Sequence, residues 1–189
     1  MGLGTDHVQF ARAGADLHGI DLTERGVELV RRRLELEDLS SDLRVADAEA
    51  LPFADDSFDI VYSWGVLHHT PDTARAIAEA VRVTRPGGRL CIMLYSRHAW
   101  VSYGLWLRHG PLSKRPLRSI ADVLHHHMES VGTKGFTRRE LSRMLAGVED
   151  LRIQKVGTPY DREYARLLAV PTGRWLGFFQ VARGHKRVA

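Results

Sequence analysis

Two glycines and two acids near the start of the chain have types and spacing that suit ligand binding. Gly2 and Gly4 precede a helix-like segment, and the strand-like segment after it ends at Asp21. In doubly wound folds such glycines let the backbone approach a ligand, and an acid after the second strand accepts hydrogen bonds from ribose hydroxyls. A second acid, Asp47, ends the next strand-like segment and offers a further hydrogen-bond acceptor. Alternatively, the glycines only form a turn, and the two acids are ordinary polar residues at the ends of strands.

Histidines form two further clusters, His68-His69 and His125-His126-His127. Histidine titrates near neutral pH, so His68 or His69 could act as a general base, although packing at the end of a helix explains such residues equally well. Three consecutive histidines cannot converge on one ion from a regular helix, because adjacent positions point about 100° apart. We therefore expect no metal site.

The elements that must position these residues alternate between strands and helices in the first half of the chain. This order predicts a mostly parallel sheet covered by helices on both faces. Predicted helices cover 5–13, 23–34, 72–83, 100–107, 117–130 and 137–145, and predicted strands cover 17–21, 43–45, 58–63, 89–95, 151–156 and 175–182. Thr137 and Glu140 have capping-box spacing, and Arg85 to Gly88 reads as a turn. The last two strands are expected to be an antiparallel pair.

Composition limits the compartment and the partners of the 189-residue chain. The net charge is +4, but the basic residues are scattered without interleaved aromatics, so we expect no nucleic-acid partner. No apolar run approaches the roughly 20 residues of a membrane span, and the start lacks a secretory pattern. Cys91 is the single cysteine and allows no internal disulfide, which favours the cytoplasm. One domain, 1–189, is expected, with a helical substrate cover over 98–147.

Four segments in a fixed order resemble the small-molecule class I S-adenosylmethionine-dependent methyltransferases, and the resemblance extends from Gly2 to Tyr95. The segments are ADAEALPF at 46–53, DDSFDIV at 55–61, WGVLHH at 64–69 and RPGGRL at 85–90. This resemblance implies a Rossmann-like three-layer α/β sandwich with an antiparallel C-terminal strand. It also implies S-adenosyl-L-methionine as cofactor and methyl transfer to a small-molecule acceptor.

The resemblance assigns roles to particular residues. In the family, the residues matching Gly2 and Gly4 face the methionine part, the acid matching Asp21 holds the ribose diol, and those matching Asp47 and Ala48 hold the adenine. Leu22, Ser63 and Trp64 complete the expected cofactor site, although buried aromatic packing is the better interpretation of Trp64. His68 and His69 are the catalytic candidates. The candidate acceptor contacts are Tyr95, Arg97, Glu129, Thr133, Lys134 and Tyr160.

The chain departs from the family pattern at its start. The family has an apolar first strand and a first glycine directly before the position of Gly2, and that strand is central in the usual sheet. Without it, neighbouring strands would lose a shared hydrogen-bond partner. We therefore expect the chain to be a fragment truncated within the glycine motif, or to have a misassigned start, rather than to close the gap in an unusual way.

Two other functions compete with methyl transfer. A nicotinamide-dependent oxidoreductase shares the glycine-then-acid spacing, but His7 stands where its third glycine would be, and the segments at 46–53 and 85–90 have no role there. A cofactor-impaired fragment that acts as a binding module is the other alternative, since the glycine loop is incomplete. The acceptor and the oligomeric state remain open at this level.

Overall fold

The computed structural model describes residues 2–162 and 176–188. The chain divides into two compact units, Met1–Phe53 and Ala54–Ala189. The single domain over 1–189 stays a prediction.

The first unit is a pair of parallel strands with two helices. The strands are β1 (His18–Asp21) and β2 (Asp42–Val45), and the helices are α1 (Thr5–Arg12) and α2 (Glu24–Glu35). Helix α2 begins where the Thr23 side chain accepts a hydrogen bond from the Gly26 N–H, a typical N-cap. Its apolar positions recur at helical spacing and pack against α1, which gives this unit a small core. The buried members are Val8, Ala11, Val30 and Leu34.

The second unit contains a five-stranded mixed sheet. Its strands are β3 (Phe58–Trp64), β4 (Thr84–Ser96), β5 (Gly135–Phe136), β6 (Val148–Val156) and β7 (Phe179–Lys186). The order is β3-β4-β7-β6, and β5 pairs with the end of β4. Strands β3 and β5 run parallel to β4, whereas β7 runs antiparallel to both β4 and β6. The predicted terminal antiparallel pair is therefore confirmed.

The α-helices of this unit that lie wholly within the described residues are α3 (Thr73–Val83), α4 (Trp100–His109), α5 (Ile120–His127) and α6 (Arg138–Met144). A 3-10 turn, Leu67–His69, follows β3. Helices α4 and α5 share one apolar cluster with β4 and β7, and its largest fully buried side chains include Met93, Leu124 and Phe178. The predicted helical cover over 98–147 thus contains α4, α5 and α6, and it also contains the short strand β5, which the sequence did not indicate.

The segment Arg85–Gly88 differs from its prediction as a turn before a strand. It lies inside β4, where β3 advances two residues from Phe58 to Ile60 while β4 advances from Thr84 to Arg89. Gly87 has a φ of 74° at this irregularity, which favours glycine. The turn residues therefore form a bulge inside a longer strand.

The bounds of other helices and strands also differ from those predicted. Strand β7 begins at Phe179, whereas the prediction began at Trp175, which lies outside the described residues. Helix α5 is shorter than the predicted 117–130. The first strand that the resemblance implies is not among the described residues, where β1 and β3 are edge strands of their own sheets, and it stays a prediction. No helix in the described part of the chain is long and apolar enough to cross a membrane.

The predicted capping box at α6 is present. Thr137 Oγ1 accepts from the Glu140 N–H at 3.2 Å, and Glu140 Oε2 accepts from the Thr137 N–H at 2.7 Å. Thr137→Ala should lower the free energy of unfolding by about 1 kcal/mol, because it leaves an N–H of the first turn without its acceptor. Urea denaturation measures the change. Thr137→Ser keeps the hydroxyl and serves as control; an equal loss in both variants would contradict the capping role.

Candidate active site

The glycine loop directly precedes α1. Gly2 and Gly4 have φ values of 58° and 66°, in the left-handed region that favours glycine. Gly4 is the N-cap of α1, and because it has no side chain it leaves the first N–H groups of the helix without the usual capping oxygen. These N–H groups carry the partial positive charge of a helix N-terminus, which suits a polar or anionic ligand group.

Helix α2 holds this loop in place. Arg33 Nη1 donates to the Leu3 carbonyl oxygen at 3.0 Å and to Thr5 Oγ1 at 3.2 Å. A Cβ added to Gly4 would lie 2.9 Å from Val30 Cγ2. Gly4 therefore also permits close packing of the loop on α2, which is a structural role in addition to the predicted contact with ligand.

Asp21 ends β1 and lies over the first turn of α2. Its Oδ1 accepts hydrogen bonds from the Thr23 N–H at 3.0 Å and from the Thr23 hydroxyl at 2.9 Å. A Cβ at Gly26 would lie 2.4 Å from the Asp21 carboxyl carbon, so glycine leaves the space that this carboxylate occupies. Burial would raise the pKa of Asp21, but the hydrogen bonds that it accepts lower that pKa below its usual value. The side chain is therefore held as a carboxylate.

Asp47 follows β2 at the same edge of the sheet as Asp21. The parallel register pairs Asp21 with Val45, and the Ala46 N–H donates to the Asp21 carbonyl oxygen at 2.9 Å. Asp47 Oδ1 accepts from the Glu49 N–H at 2.9 Å, and its side chain is exposed. The structure therefore brings the two strand-end acids to one edge of the sheet.

Apolar surface lies next to these acids. Leu22 follows Asp21 directly and is 71% exposed, and Val45, opposite Asp21 in the register, is 50% exposed. Ala48, beside Asp47, is partly buried. All the predicted cofactor-binding residues of the first unit thus lie in the glycine loop or at the carboxyl edge of β1 and β2.

Ser63 and Trp64, the other predicted cofactor contacts, belong to the second unit at the end of β3. Ser63 Oγ is buried and has no hydrogen-bond partner among the described residues. The Trp64 ring stacks on Tyr62 at 6.0 Å between centroids and meets Phe179 edge-on at 6.2 Å. These contacts support the packing interpretation of Trp64.

His68 is fully buried in the 3-10 turn after β3. Its ring lies 3.8 Å from the ring of Tyr95, centroid to centroid, and neither ring nitrogen has a hydrogen-bond partner among the described residues. Burial, with smaller contributions from His69 and Lys134, lowers the pKa of His68 to about 3. A neutral, enclosed imidazole with so low a pKa is unsuited to accept a proton near neutral pH. Burial therefore favours His69 over His68 as a proton acceptor, and a catalytic role for either stays a prediction.

His69 has a different environment from its neighbour. Its side chain is 32% exposed, and Nε2 lies 3.9 Å from Glu129 Oε2. Nδ1 lies 3.2 Å from each of two hydroxyl oxygens, Ser130 Oγ and Thr133 Oγ1. Burial lowers the pKa of His69, the Glu129 carboxylate opposes this shift, and Lys134 adds to it. His69 is therefore a neutral, accessible imidazole near pH 7.

Most of the other candidate acceptor contacts have partners within the protein. The Tyr95 hydroxyl donates to Glu129 Oε2 at 2.8 Å, and burial followed by this hydrogen bond raises the pKa of Tyr95. Arg97 pairs with Glu140 at 3.0 Å. Tyr160 is 60% exposed.

Thr133 and Lys134 are also engaged by the protein. Thr133 is 1% exposed. The Lys134 ammonium donates to the carbonyl oxygens of Thr70 and Pro71. Arg97, Thr133 and Lys134 thus have structural contacts, which the prediction of acceptor-binding roles did not include.

The histidine triplet lies at the end of α5, in the part of the chain that the structure describes. His126 Nδ1 lies 2.9 Å from the Asp122 carbonyl oxygen, and His127 Nε2 lies 2.8 Å from Arg118 Nη1. The His127 ring also stacks on His109 at 4.0 Å between centroids. Within residues 2–162 and 176–188, no group of three or more His, Cys, Asp or Glu residues is placed to hold a metal ion.

Sequence reasoning missed two features of this site. Gly26 stands in the first turn of a helix, where glycine is unfavourable, and that anomaly was the available signal for the close approach of Asp21. Ser130 had no such signal, because only tertiary packing brings it to His69, 61 positions earlier in the chain.

Comparison with known proteins agrees with this geometry. Residues 1–92 match a family model described as a methyltransferase domain. Phthiotriol/phenolphthiotriol dimycocerosates methyltransferase 1 of Mycobacterium ulcerans is 46% identical over 76 residues, which are 40% of this chain and 27% of that protein. The ubiquinone/menaquinone biosynthesis C-methyltransferase UbiE of Dinoroseobacter shibae is 48% identical over 83 residues, 41% of this chain and 32% of that protein. The chain thus spans about a third of the length of these relatives.

Solved structures share the fold. A possible histamine N-methyltransferase of Thermotoga maritima has a TM-score of 0.66 at 21% identity, over 98% of this chain and 80% of that one. The YcgJ protein of Bacillus subtilis has a TM-score of 0.68 at 17% identity, over 100% of this chain and 89% of that one. The chain has a Rossmann-like α/β fold with a mixed sheet.

These findings confirm the resemblance to the class I S-adenosylmethionine-dependent methyltransferases, and residues 1–92 are the part of the chain that matches the methyltransferase-domain model. The cofactor that this domain implies is S-adenosyl-L-methionine. The residues present fit it, because Gly4 leaves helix N–H groups uncapped and Gly26 leaves space for a carboxylate at the edge where Asp47 also lies.

The space at Gly26 can be tested directly. Gly26→Ala should displace the Asp21 carboxylate and weaken binding of S-adenosylhomocysteine at least tenfold, although alanine by itself favours a helix by about 1 kcal/mol. Isothermal titration calorimetry measures the affinity. Gly157→Ala adds the same methyl group where nothing lies within 4 Å and serves as control. Unchanged affinity in Gly26→Ala would contradict the role of this space.

The buried imidazole of His68 should make stability depend on pH. With a folded-state pKa of about 3, His68 stays neutral in the folded protein, while the unfolded chain binds a proton below about pH 6.5. Stability should therefore fall as the pH falls below 6.5, by up to about 1.4 kcal/mol per unit from this residue. In His68→Phe the slope of the free energy of unfolding between pH 6.5 and 5, measured in urea, should be smaller. Equal slopes would contradict the buried neutral state.

Proposed function

We propose that this protein transfers a methyl group from S-adenosyl-L-methionine to a small-molecule acceptor, with Gly2, Gly4, Asp21, Leu22, Asp47 and Ala48 binding the cofactor. The observation that carries the proposal is the common edge of β1 and β2, where Asp21 and Asp47 follow neighbouring parallel strands. A carboxylate can accept two hydrogen bonds from a ribose diol, and a second acid can accept from the adenine amino group. This edge therefore suits the two polar ends of an adenosyl group.

Apolar surface at the same edge supports an adenosyl ligand. Two exposed apolar residues neighbour Asp21: Leu22 follows it in the chain, and Val45 lies opposite it on the paired strand. Exposed apolar side chains beside a charged group suit the flat face of a nucleobase. A bound nucleobase would cover these side chains and remove their apolar surface from water. A strand-end acid without apolar neighbours would give no indication of a nucleobase site.

The chemistry asks little of the protein beyond alignment. When bound, S-adenosyl-L-methionine supplies an activated methyl group: the acceptor atom bonds to the methyl carbon as the carbon–sulfur bond breaks and its electron pair returns to sulfur. The residues of the chain then have to bind, orient and exclude water. An acceptor that carries a proton also needs a base, because its proton must leave.

We assign His69 as the base that takes this proton from the acceptor. Its imidazole is neutral near pH 7 and partly exposed, whereas His68 is enclosed. Glu129, 3.9 Å from Nε2, would stabilise the imidazolium that forms when His69 takes a proton. The cofactor-binding roles of Ser63 and Trp64 stay predictions.

The names of the relatives indicate the range of acceptors. They refer to phthiotriol/phenolphthiotriol dimycocerosates, to ubiquinone/menaquinone biosynthesis and to 27-O-demethylrifamycin SV. We infer from these names that small molecules of these kinds are the acceptor class to screen first. A cytoplasmic location and the lack of a nucleic-acid partner stay predictions.

Cofactor binding by Asp21 is the direct test. Asp21→Ala should reduce the affinity for S-adenosylhomocysteine at least tenfold in calorimetry, because the ribose hydroxyls lose a charged acceptor. Asp16→Ala removes an acid whose side chain is fully in solvent and serves as matched control. Undiminished binding in Asp21→Ala, or no saturable binding by the unmodified chain, would overturn the proposal. Transfer of labelled methyl to a metabolite extract separates an enzyme from a binding module.

A further inference from the structure

Two hydroxyl groups converge on one ring nitrogen of His69. Ser130 Oγ and Thr133 Oγ1 each lie 3.2 Å from His69 Nδ1, and they lie 3.2 Å from each other. Thr133 is 1% exposed, so its hydroxyl contacts protein and not solvent. The neutral imidazole carries its proton on either Nδ1 or Nε2. Which nitrogen carries it depends on whether the two hydroxyls accept a hydrogen bond from Nδ1 or donate one to it.

The two neutral tautomers of His69 allow different numbers of hydrogen bonds with Ser130 and Thr133. The Thr133 hydroxyl donates its single proton to the Ser130 carbonyl oxygen at 2.8 Å, the shortest of its hydrogen bonds, and in that arrangement Thr133 Oγ1 accepts from the other groups. If His69 carries its proton on Nδ1, it donates to Thr133 while Ser130 also donates to Thr133. If Nδ1 is bare, one of the two hydroxyls donates to it: either Ser130, which then no longer donates to Thr133, or Thr133, which then no longer donates to the Ser130 carbonyl oxygen. The protonated Nδ1 forms one more hydrogen bond, and buried polar groups favour full pairing.

The segment that carries these hydroxyls is fixed on both sides of the histidine. The Lys134 N–H donates to the His68 carbonyl oxygen at 3.1 Å, and the Lys134 ammonium donates to the Pro71 carbonyl oxygen at 2.8 Å. At the other end of the segment, Glu129 accepts from the Tyr95 hydroxyl at 2.8 Å. Ser130 and Thr133 are therefore held in place relative to His69.

We propose that Thr133, assisted by Ser130, is a positioning residue that fixes His69 as the Nδ1–H tautomer, so that Nε2 takes the proton of a protic methyl acceptor. This inference rests on the proposed function and narrows it to acceptors that lose a proton from oxygen or nitrogen. The acceptor proton moves to Nε2 and gives an imidazolium whose Nδ1–H still donates to Thr133. Glu129, which faces Nε2, balances the new charge.

Nitrogen-15 NMR tests the tautomer without cofactor or turnover. Long-range correlations from the carbon-bound ring protons distinguish a protonated from a bare ring nitrogen, and His69→Asn identifies the His69 signals among the ten histidines. At pH 7.5 we expect a protonated Nδ1 and a bare Nε2 at His69. A bare Nδ1 would overturn the inference while leaving cofactor binding untouched; absence of S-adenosylhomocysteine binding would overturn the proposed function whatever the tautomer.

Two variants separate the roles of the hydroxyls. Thr133→Val removes the oxygen that accepts from Nδ1–H, so Ser130 should donate to Nδ1 and the proton should move to Nε2. Ser130→Ala leaves Thr133 as acceptor, and the Nδ1–H tautomer should persist. Thr133→Ser should restore the tautomer. If Thr133→Val leaves the His69 signals unchanged, the positioning role is refuted.

Activity gives an independent readout of the same change. Thr133→Val should lower kcat at least tenfold with little change in the KM of the acceptor, because the proton-accepting nitrogen is occupied while the binding surface is intact. Thr84→Val is the matched control, since Thr84 is also fully buried and also donates its hydroxyl proton to a backbone carbonyl, that of Ala80. It should leave the His69 signals and kcat unchanged. A kcat loss as large in Thr84→Val as in Thr133→Val would indicate general destabilisation and contradict the inference.

Discussion

Parallel pairing of β1 with β2 is the interaction on which the proposed cofactor site depends. The register that places Asp21 opposite Val45 puts the carboxyl ends of both strands at one edge, and the Ala46 N–H bonded to the Asp21 carbonyl oxygen extends the pairing past the strand. Because side chains alternate between faces, a slip of one residue would send these acids to different sides of the sheet. Helix α2 reinforces the arrangement, since its first turn supports Asp21 and Arg33 near its end binds the glycine loop.

The second unit shows how adjacent residues of one type acquire opposite properties. His68 and His69 follow each other in a 3-10 turn, where successive side chains point about 120° apart. One ring therefore packs on Tyr95 with both nitrogens enclosed, and the other reaches Glu129, Ser130 and the surface. The first imidazole is buried with no hydrogen-bond partner in the described part of the chain, which costs stability, while the second remains able to exchange a proton.

Most elements could be predicted because their signals are local. Helical periodicity and N-caps located α2 and α6, and the apolar runs located β3 and β4. The errors fell where pairing overrides local preference: Arg85–Gly88 is drawn into β4 as a bulge, and β7 is displaced toward the C-terminus by its register with β4 and β6. The two residues of β5 are strand only because they pair with the end of β4, so nothing local marked them.

The sequence by itself determined the order of strands and helices, the glycine loop and the acids at the ends of two strands, because each depends on a few neighbouring residues. It also determined the methyltransferase resemblance, which rests on motifs in a fixed order. Only the tertiary structure decided which histidine can exchange a proton and which hydroxyls position it. Those properties depend on burial and on contacts between residues more than sixty positions apart, as between His69 and Thr133, and such contacts leave no local pattern.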